Sequence, residues 1–262
     1  MPQELVHERR GAGEPLVLIH GLGSRWQVWQ PVLDAVAAHH EVIALDLPGF
    51  GASPPGDTPP TLDGLSTAVE KFLARNGIQR AHLAGNSLGG GIALELGRRG
   101  AARSVTAFSP IGFWAVAGRH WSRAALTASR GLARRIPPPV AARLATSPAG
   151  RAAVLSLFYG RPRLLDPQSV LADVAALAGA AYFDPVRRSL RDHLFTTNSE
   201  LDAIPVTIAW GTRDVLLTYR TQSRRARALL PAARHVTLPG CGHLPFSDNP
   251  QLCAKLIIRT TE

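Results

Sequence analysis

His82-Leu83-Ala84-Gly85-Asn86-Ser87-Leu88-Gly89-Gly90 changes periodicity part-way through. The apolar run at 82–85 reads as a strand, and from Leu88 to about residue 99 the apolar positions follow a helical repeat. Ser87 stands in the sharp turn between them. Such a turn strains the backbone, exposes the hydroxyl above the sheet, and aims the first N–H groups and positive dipole end of the helix at any anion forming there. Gly-x-Ser-x-Gly alone is common in ordinary turns. Strand, motif and helix in that order make Ser87 a candidate nucleophile, with a structural turn serine as the competing reading.

Outward from this stretch, short apolar runs at 16–20, 42–47, 105–109, 206–210 and 235–238 read as further strands. Helical patterns at 32–38 and 62–76 lie between them, the second stopped by Asn76-Gly77. Strands alternating with helices predict an α/β fold with a mostly parallel sheet covered on both faces. From residue 113 to 200 strand signals vanish and helical segments at 122–135, 139–145 and 169–181 follow one another. The expected division is therefore a core of 1–112 and 201–262 with a helical insert of 113–200. At 262 residues one core is expected.

Hydrophobic residues at 45% and charged residues at 18% argue against disorder. The formal charge of +10 raises the question of a nucleic-acid or anionic-membrane partner. Only Lys71 and Lys255 are lysines, no basic run is interleaved with stacking aromatics, and no nucleic-acid-binding motif is present, so no nucleic-acid partner is expected. The insert carries 12 arginines against 5 acids, a pattern more often a solvated face than an anion site. The amino terminus lacks the apolar stretch of a secretory signal, and the longest apolar runs are too short for a bilayer or broken by Asp173. A cytoplasmic enzyme without stable membrane insertion is the expectation. Cys241 and Cys253 have no metal-ligand or redox spacing.

A serine hydroxyl needs a base to remove its proton and normally a carboxylate to orient that base. Asp214 follows the strand at 206–210, and His243 follows the last one. Loops after the carboxyl ends of parallel strands converge on one edge, so the three can meet. Asp202 precedes its strand and sits at the wrong end. His20 also lies at a strand's carboxyl end and competes with His243 for the role of base.

His20-Gly21-Leu22-Gly23-Ser24, Asp46-Leu47-Pro48-Gly49-Phe50-Gly51-Ala52-Ser53, the Ser87 turn, Gly211-Thr212-Arg213-Asp214 and Pro239-Gly240-Cys241-Gly242-His243 occur in the order of one family. Together they resemble the α/β-hydrolase superfamily, in its cap-bearing branch of esterases, lipases and carbon-carbon bond hydrolases. The resemblance implies Ser87, Asp214 and His243 as a catalytic triad and His20 as a loop brace. It also implies an oxyanion hole from the backbone N–H groups of Leu88 and of Leu22, or of Gly23 in its place, with residues 113–200 as a lid. Phe113 and Trp114, leaving the sheet near Ser87, are the expected substrate contacts among the aromatics of the chain.

The expected chemistry is hydrolysis of an ester or lactone of an apolar small molecule through an acyl-enzyme on Ser87, with no metal or organic cofactor. The meta-cleavage type of carbon-carbon hydrolase is the alternative. Against it stand a short His-Gly loop and Leu244, rather than tryptophan, after His243. A ligand-binding protein on a hydrolase fold is the rival from another class, since fold alone does not establish activity.

Overall fold

The computed structural model describes residues 4–262. β1 (His7–Arg10), β2 (Pro15–Ile19), α1 (Gln30–Ala37), β3 (Glu41–Leu45), α2 (Leu62–Arg75), β4 (Ala81–Asn86), α3 (Leu88–Arg98) and β5 (Ala102–Phe108) come first. Six helices follow: α4 (Val116–Arg135), α5 (Pro138–Thr146), α6 (Pro148–Leu155), α7 (Pro167–Gly179), α8 (Phe183–Ser189) and α9 (Ser199–Asp202). β6 (Val206–Gly211), α10 (Tyr219–Leu229), β7 (Arg234–Leu238) and α11 (Pro250–Thr261) complete the chain.

The strands form one sheet in the order β1-β3-β2-β4-β5-β6-β7, parallel throughout except for β1, which runs antiparallel on β3. Alternation along each strand sends side chains to opposite faces. Val17, Ile19, Ile43, Leu45, Leu83 and Val105 join one apolar cluster with α2 and α3. Leu16, Leu18, Val42, Ala44, Ala84 and Phe108 join the other with α1 and α11. The chain is thus an α/β hydrolase fold with helices on both faces of the sheet.

Between β5 and β6 the described residues contain helices and turns and no strand. Within this insert α4 packs on α7, and α5 packs on α6 and α7. Phe183, Val186, Leu190 and Phe195 reach down into the cluster of α2 and α3 and so seat the insert on the sheet. Two of its arginines are buried and serve the fold. Arg151 donates to the carbonyls of Ala145 (2.6 Å) and Thr146 (3.2 Å), satisfying acceptors left open at the end of α5, and to that of Arg163 (2.6 Å). Arg130 pairs with Asp184, donates to the Ala180 carbonyl at 2.8 Å and lies 4.8 Å from the Phe183 ring centroid.

Among the described residues no single helix is long and apolar enough to cross a membrane; α7 and α8 reach that length only as a pair bent by 68°.

Candidate active site

Ser87 has φ 57°, a left-handed conformation that a side chain ordinarily avoids, between the end of β4 and the start of α3. Its surroundings over-determine it. The Ser87 N–H donates to the Phe108 carbonyl at 2.9 Å, and its own carbonyl accepts from Gly91 (3.0 Å) and Ile111 (3.1 Å). The glycines of the motif are required by close approach: a Cβ at Gly85 would lie 2.1 Å from the Gly89 oxygen, and one at Gly89 would lie 2.0 Å from the Ile19 oxygen. Leu88 opens α3, so its N–H belongs to the first turn, where no intrahelical acceptor exists.

Asp214 and His243 come from the loops after β6 and β7, and both are buried. His243 Nδ1 and Asp214 Oδ2 are 2.9 Å apart. The other carboxylate oxygen accepts from the N–H groups of Leu216 (3.0 Å) and Leu217 (2.9 Å), which fixes its direction. An acceptor at Nδ1 places the imidazole proton there and leaves Nε2 with a free lone pair. Ser87 and His243 line one cavity of about 90 Å³ together with Leu22, Asn86 and Leu216. Asn86, which the sequence reading had passed over, spans the gap behind them: its Nδ2 donates to the His243 carbonyl at 2.9 Å and to the Phe108 carbonyl at 3.2 Å.

The competing candidates fall elsewhere. His20 is fully buried with both ring nitrogens engaged, Nε2 accepting from the Leu47 N–H at 3.0 Å and Nδ1 donating to the Gly21 carbonyl at 2.7 Å. Burial holds its pKa below the ordinary histidine value despite the opposing field of Asp46. It braces the loop after β2 and has no free lone pair. Asp46 does the same for the loop after β3, accepting from Trp26 (2.7 Å) and Ala52 (2.8 Å). Asp202 closes α9 ahead of β6, where its Oδ1 accepts from Thr197 at 3.4 Å.

Phe113 and Trp114 do not line the cavity, contrary to the expectation for them. Phe113 is fully buried, stacked on Phe195 with centroids 4.7 Å apart and edge-on to Trp210. Trp114 donates from Nε1 to the His193 carbonyl at 3.0 Å. The Phe195 N–H bonds the Gly112 carbonyl at 3.1 Å, so the start and end of the insert close on each other and draw both rings into the core. The far wall is built instead by Leu126 of α4, Leu155 of α6, Phe158, Tyr159, and Asp173, Val174 and Leu177 of α7. Of the aromatics outside the sheet, Phe158 and Tyr159 are the ones that reach it.

Asp173 is the carboxylate of that wall. Arg25 Nε donates to it at 3.0 Å and the Tyr159 hydroxyl lies beside it. Burial raises the Asp173 pKa against the pull of Arg25, and burial likewise raises that of Tyr159. The lining contains no arginine. A larger cleft of about 480 Å³, bordered by Leu5, Pro48, Lys71 and Phe72, includes none of these residues.

A second carboxylate holds the histidine loop. Asp248 is buried and accepts from Gly242 (2.8 Å), Gly160 (2.8 Å) and Arg161 (2.7 Å), joining the residue before His243 to the insert. The Leu244 N–H bonds the Phe158 carbonyl at 2.8 Å, and Arg213 donates to the Gly160 carbonyl at 2.9 Å. The two backbones touch: a Cβ at Gly160 would lie 2.1 Å from the Gly240 oxygen. Burial pushes the Cys241 thiol up to about 11 and that of Cys253 higher still, so both are packing groups at neutral pH. Among the described residues no three His, Cys, Asp or Glu side chains are arranged to hold a metal ion.

A family model described as "Alpha/beta hydrolase family" matches residues 16–256. The dihydrolipoyllysine-residue acetyltransferase component of the acetoin cleaving system of Pseudomonas putida is 32% identical over 88% of this chain, and the chain spans 59% of that protein's length. The pimeloyl-[acyl-carrier protein] methyl ester esterase of Aeromonas hydrophila is 41% identical over 34% of this chain, covering 34% of its own. Among solved structures, a bacterial membrane phospholipase A superposes with a TM-score of 0.76 at 26% identity, over 98% of this chain and 81% of that one.

Proposed function

The chain belongs to the alpha/beta hydrolase family, and from that premise we propose that it is a serine hydrolase cleaving an ester or lactone of an apolar small molecule. The observation that carries the reading is the His243–Asp214 pair at 2.9 Å behind a cavity that Ser87 shares. Nε2 of His243 takes the hydroxyl proton as Ser87 Oγ attacks the carbonyl carbon. The carbonyl π bond opens onto its oxygen, which sits on the N–H groups of Leu88 and Leu22. Loss of one such donor typically costs about 3 to 4 kcal/mol of transition-state stabilisation. The C–O bond to the alcohol then breaks, with the proton returned from His243, and water repeats the sequence on the acyl-enzyme. Asp214 keeps the imidazole in the reactive tautomer and stabilises its cation. Residues 113–200 act as the lid that closes over this chemistry.

The wall supports neutral over anionic substrates. Leucine, valine and phenylalanine side chains dominate it, and its charged member is a carboxylate. A dienone acid, the substrate type of the carbon-carbon alternative, would find no arginine or lysine in the lining to receive its carboxylate, and nearby Arg25 is already engaged by Asp173. The test is labelling by a fluorophosphonate together with turnover of p-nitrophenyl butyrate. Both are expected in the wild type and absent in Ser87→Ala; near-wild-type turnover in that variant would overturn the assignment, and an unlabelled, inactive wild type would favour the ligand-binding rival.

A further inference from the structure

The insert contains a chamber of its own. It measures about 80 Å³, and every residue around it lies between Ser129 and Leu177, on α4, α5, α6, the turn after α6 and α7. Its lining is aliphatic apart from Phe158 and Ser129, and the Ser129 hydroxyl is already engaged with the Ala125 carbonyl at 2.9 Å. The chamber is open along one side, where Leu132 is exposed, so its apolar lining is partly wet until something covers it. The insert's buried guanidiniums point elsewhere: Arg130 goes to Asp184 and Ala180, and Arg151 to the end of α5.

The chamber and the active-site cavity share one wall, formed by Leu155, Phe158, Val174 and Leu177. Those four side chains border Ser87's cavity on one side and the apolar cleft between the helices of the insert on the other. Leu177 rests against the loop of the oxyanion hole, since a Cβ at Gly23 would meet its Cδ1 at 2.5 Å. The two volumes together slightly exceed that of an engineered apolar cavity, about 150 Å³, which takes a benzene-sized ligand.

We propose that the chamber is the binding site for the tail of an unbranched, medium-length acyl chain whose carbonyl lies at Ser87. The inference rests on the esterase reading above. The acyl side is favoured over the alcohol side because the shared wall meets the oxyanion loop through Leu177, and the acyl carbonyl is the group that loop holds. The leaving alcohol faces His243, which protonates it. Each methylene that passes the wall leaves water for an aliphatic lining, a gain of about fourfold in affinity per methylene.

The experiment compares kcat/KM along p-nitrophenyl esters from acetate to dodecanoate, and along acetate esters of alcohols of the same lengths. In the wild type the acyl series should climb by up to fourfold per methylene to an optimum and then fall. Ala133→Phe and Ala141→Phe, made separately, place a ring in the chamber and should cut the octanoate-to-butyrate ratio at least tenfold without changing the alcohol series. Leu155→Ala opens the wall and should move the optimum to longer acyl chains. An acyl profile unchanged by all three variants, or a block that acts on the alcohol series instead, overturns the proposal. Thermal-shift titration with 1-decanol and 1-butanol gives a readout without turnover: decanol alone should raise Tm, and each blocking variant should lose the shift. Should no ester be turned over while that chain-length-dependent binding is lost on blocking, the esterase reading falls and the chamber stands. A decanol shift that survives both blocks removes the chamber as the site.

Discussion

Ser87, Asp214 and His243 are tied into the sheet edge by backbone hydrogen bonds, whereas Leu155, Val174 and Leu177 face them across the cavity as apolar side chains of helices packed on one another. The Ser87 N–H and carbonyl both have partners, and Asp214 accepts from two amides. On the far wall the positions are set by α4 lying on α7 and by α5 lying on α6 and α7. Directional bonds fix an atom's place, as attack on a carbonyl requires. Packing fixes a shape, and shape tolerates exchange of one hydrophobic side chain for another of similar volume. On the proposed reading, reactivity and selectivity are thus held by different forces on opposite sides of one space.

The largest effects are expected from the sheet side. Asp214→Asn should preserve folding and lower kcat by about 10⁴-fold through the wrong histidine tautomer. Ser87→Ala and His243→Ala should each lose comparably, with the double variant no slower than the worse single, because the members act as a unit. Steady-state kinetics on a p-nitrophenyl ester checks this; additive losses, or a stronger effect of Asp202→Asn, would break the comparison at its strongest point.

Asp248 tests where the two sides join. Asp248→Ala leaves the N–H groups of Gly160, Arg161 and Gly242 without their acceptor; the Gly242 bond is buried, and a buried unsatisfied group costs about 1–3 kcal/mol. A stability loss of about 1–3 kcal/mol is expected in urea unfolding, with reduced turnover because Gly242 precedes His243. Asp248→Asn should recover part of both. A loss below about 1 kcal/mol would mean that the insert does not depend on this carboxylate.

A weaker effect concerns protons. Burial is the leading cause of the lowered pKa of His20, His40, His193 and His235. The unfolded chain titrates its histidines near 6.5, so below that pH it binds protons that the folded chain refuses. This contribution to stability is whole above about pH 6.5 and is lost as the pH falls. Urea midpoints at pH 7.5, 6.5 and 5.5 should therefore decrease in that order. Replacing His20, fully buried on the sheet side, should flatten the slope more than replacing His193 of the insert; the reverse order would blur the contrast. The smallest effect belongs to Trp121, an exposed side chain of α4 that donates to the Val215 carbonyl at 2.7 Å. Trp121→Phe should change stability by about 0.5 kcal/mol or less in the same unfolding assay.

The same contrast explains what could be read from the residues alone. The parallel strands were legible to within a few residues, β2 to β6 because they are largely buried on both faces; β7, at the sheet edge with only Leu238 fully buried, was read from a shorter apolar signal. β1 was not, since His7-Glu8-Arg9-Arg10 is an edge strand whose polar side chains face solvent and pair locally, Arg9 with Glu41 at 3.0 Å. α10, with Arg220, Arg224, Arg225 and Arg227 in its span, has too thin an apolar stripe to announce itself. The carboxylate and the histidine were legible because they follow strands. The far wall was not: nothing in the one-dimensional pattern separates Leu177, which faces the cavity, from Phe113, which the closure between Gly112 and Phe195 takes into the core.

The contact between Gly160 and the histidine loop also bears on how this molecule can be recombined. A segment spanning 113–200 invites exchange as a unit between relatives, yet residues 158–161 are bonded to Arg213, Leu244 and Asp248 of the flanking framework and lie against Gly242. A chimera cut at the ends of the insert would import a foreign stretch into that junction and disturb the loop of His243, the proposed base, along with the cavity wall. Breakpoints placed on either side of 158–161, keeping those four residues with the parent framework, divide the insert into two transplantable pieces.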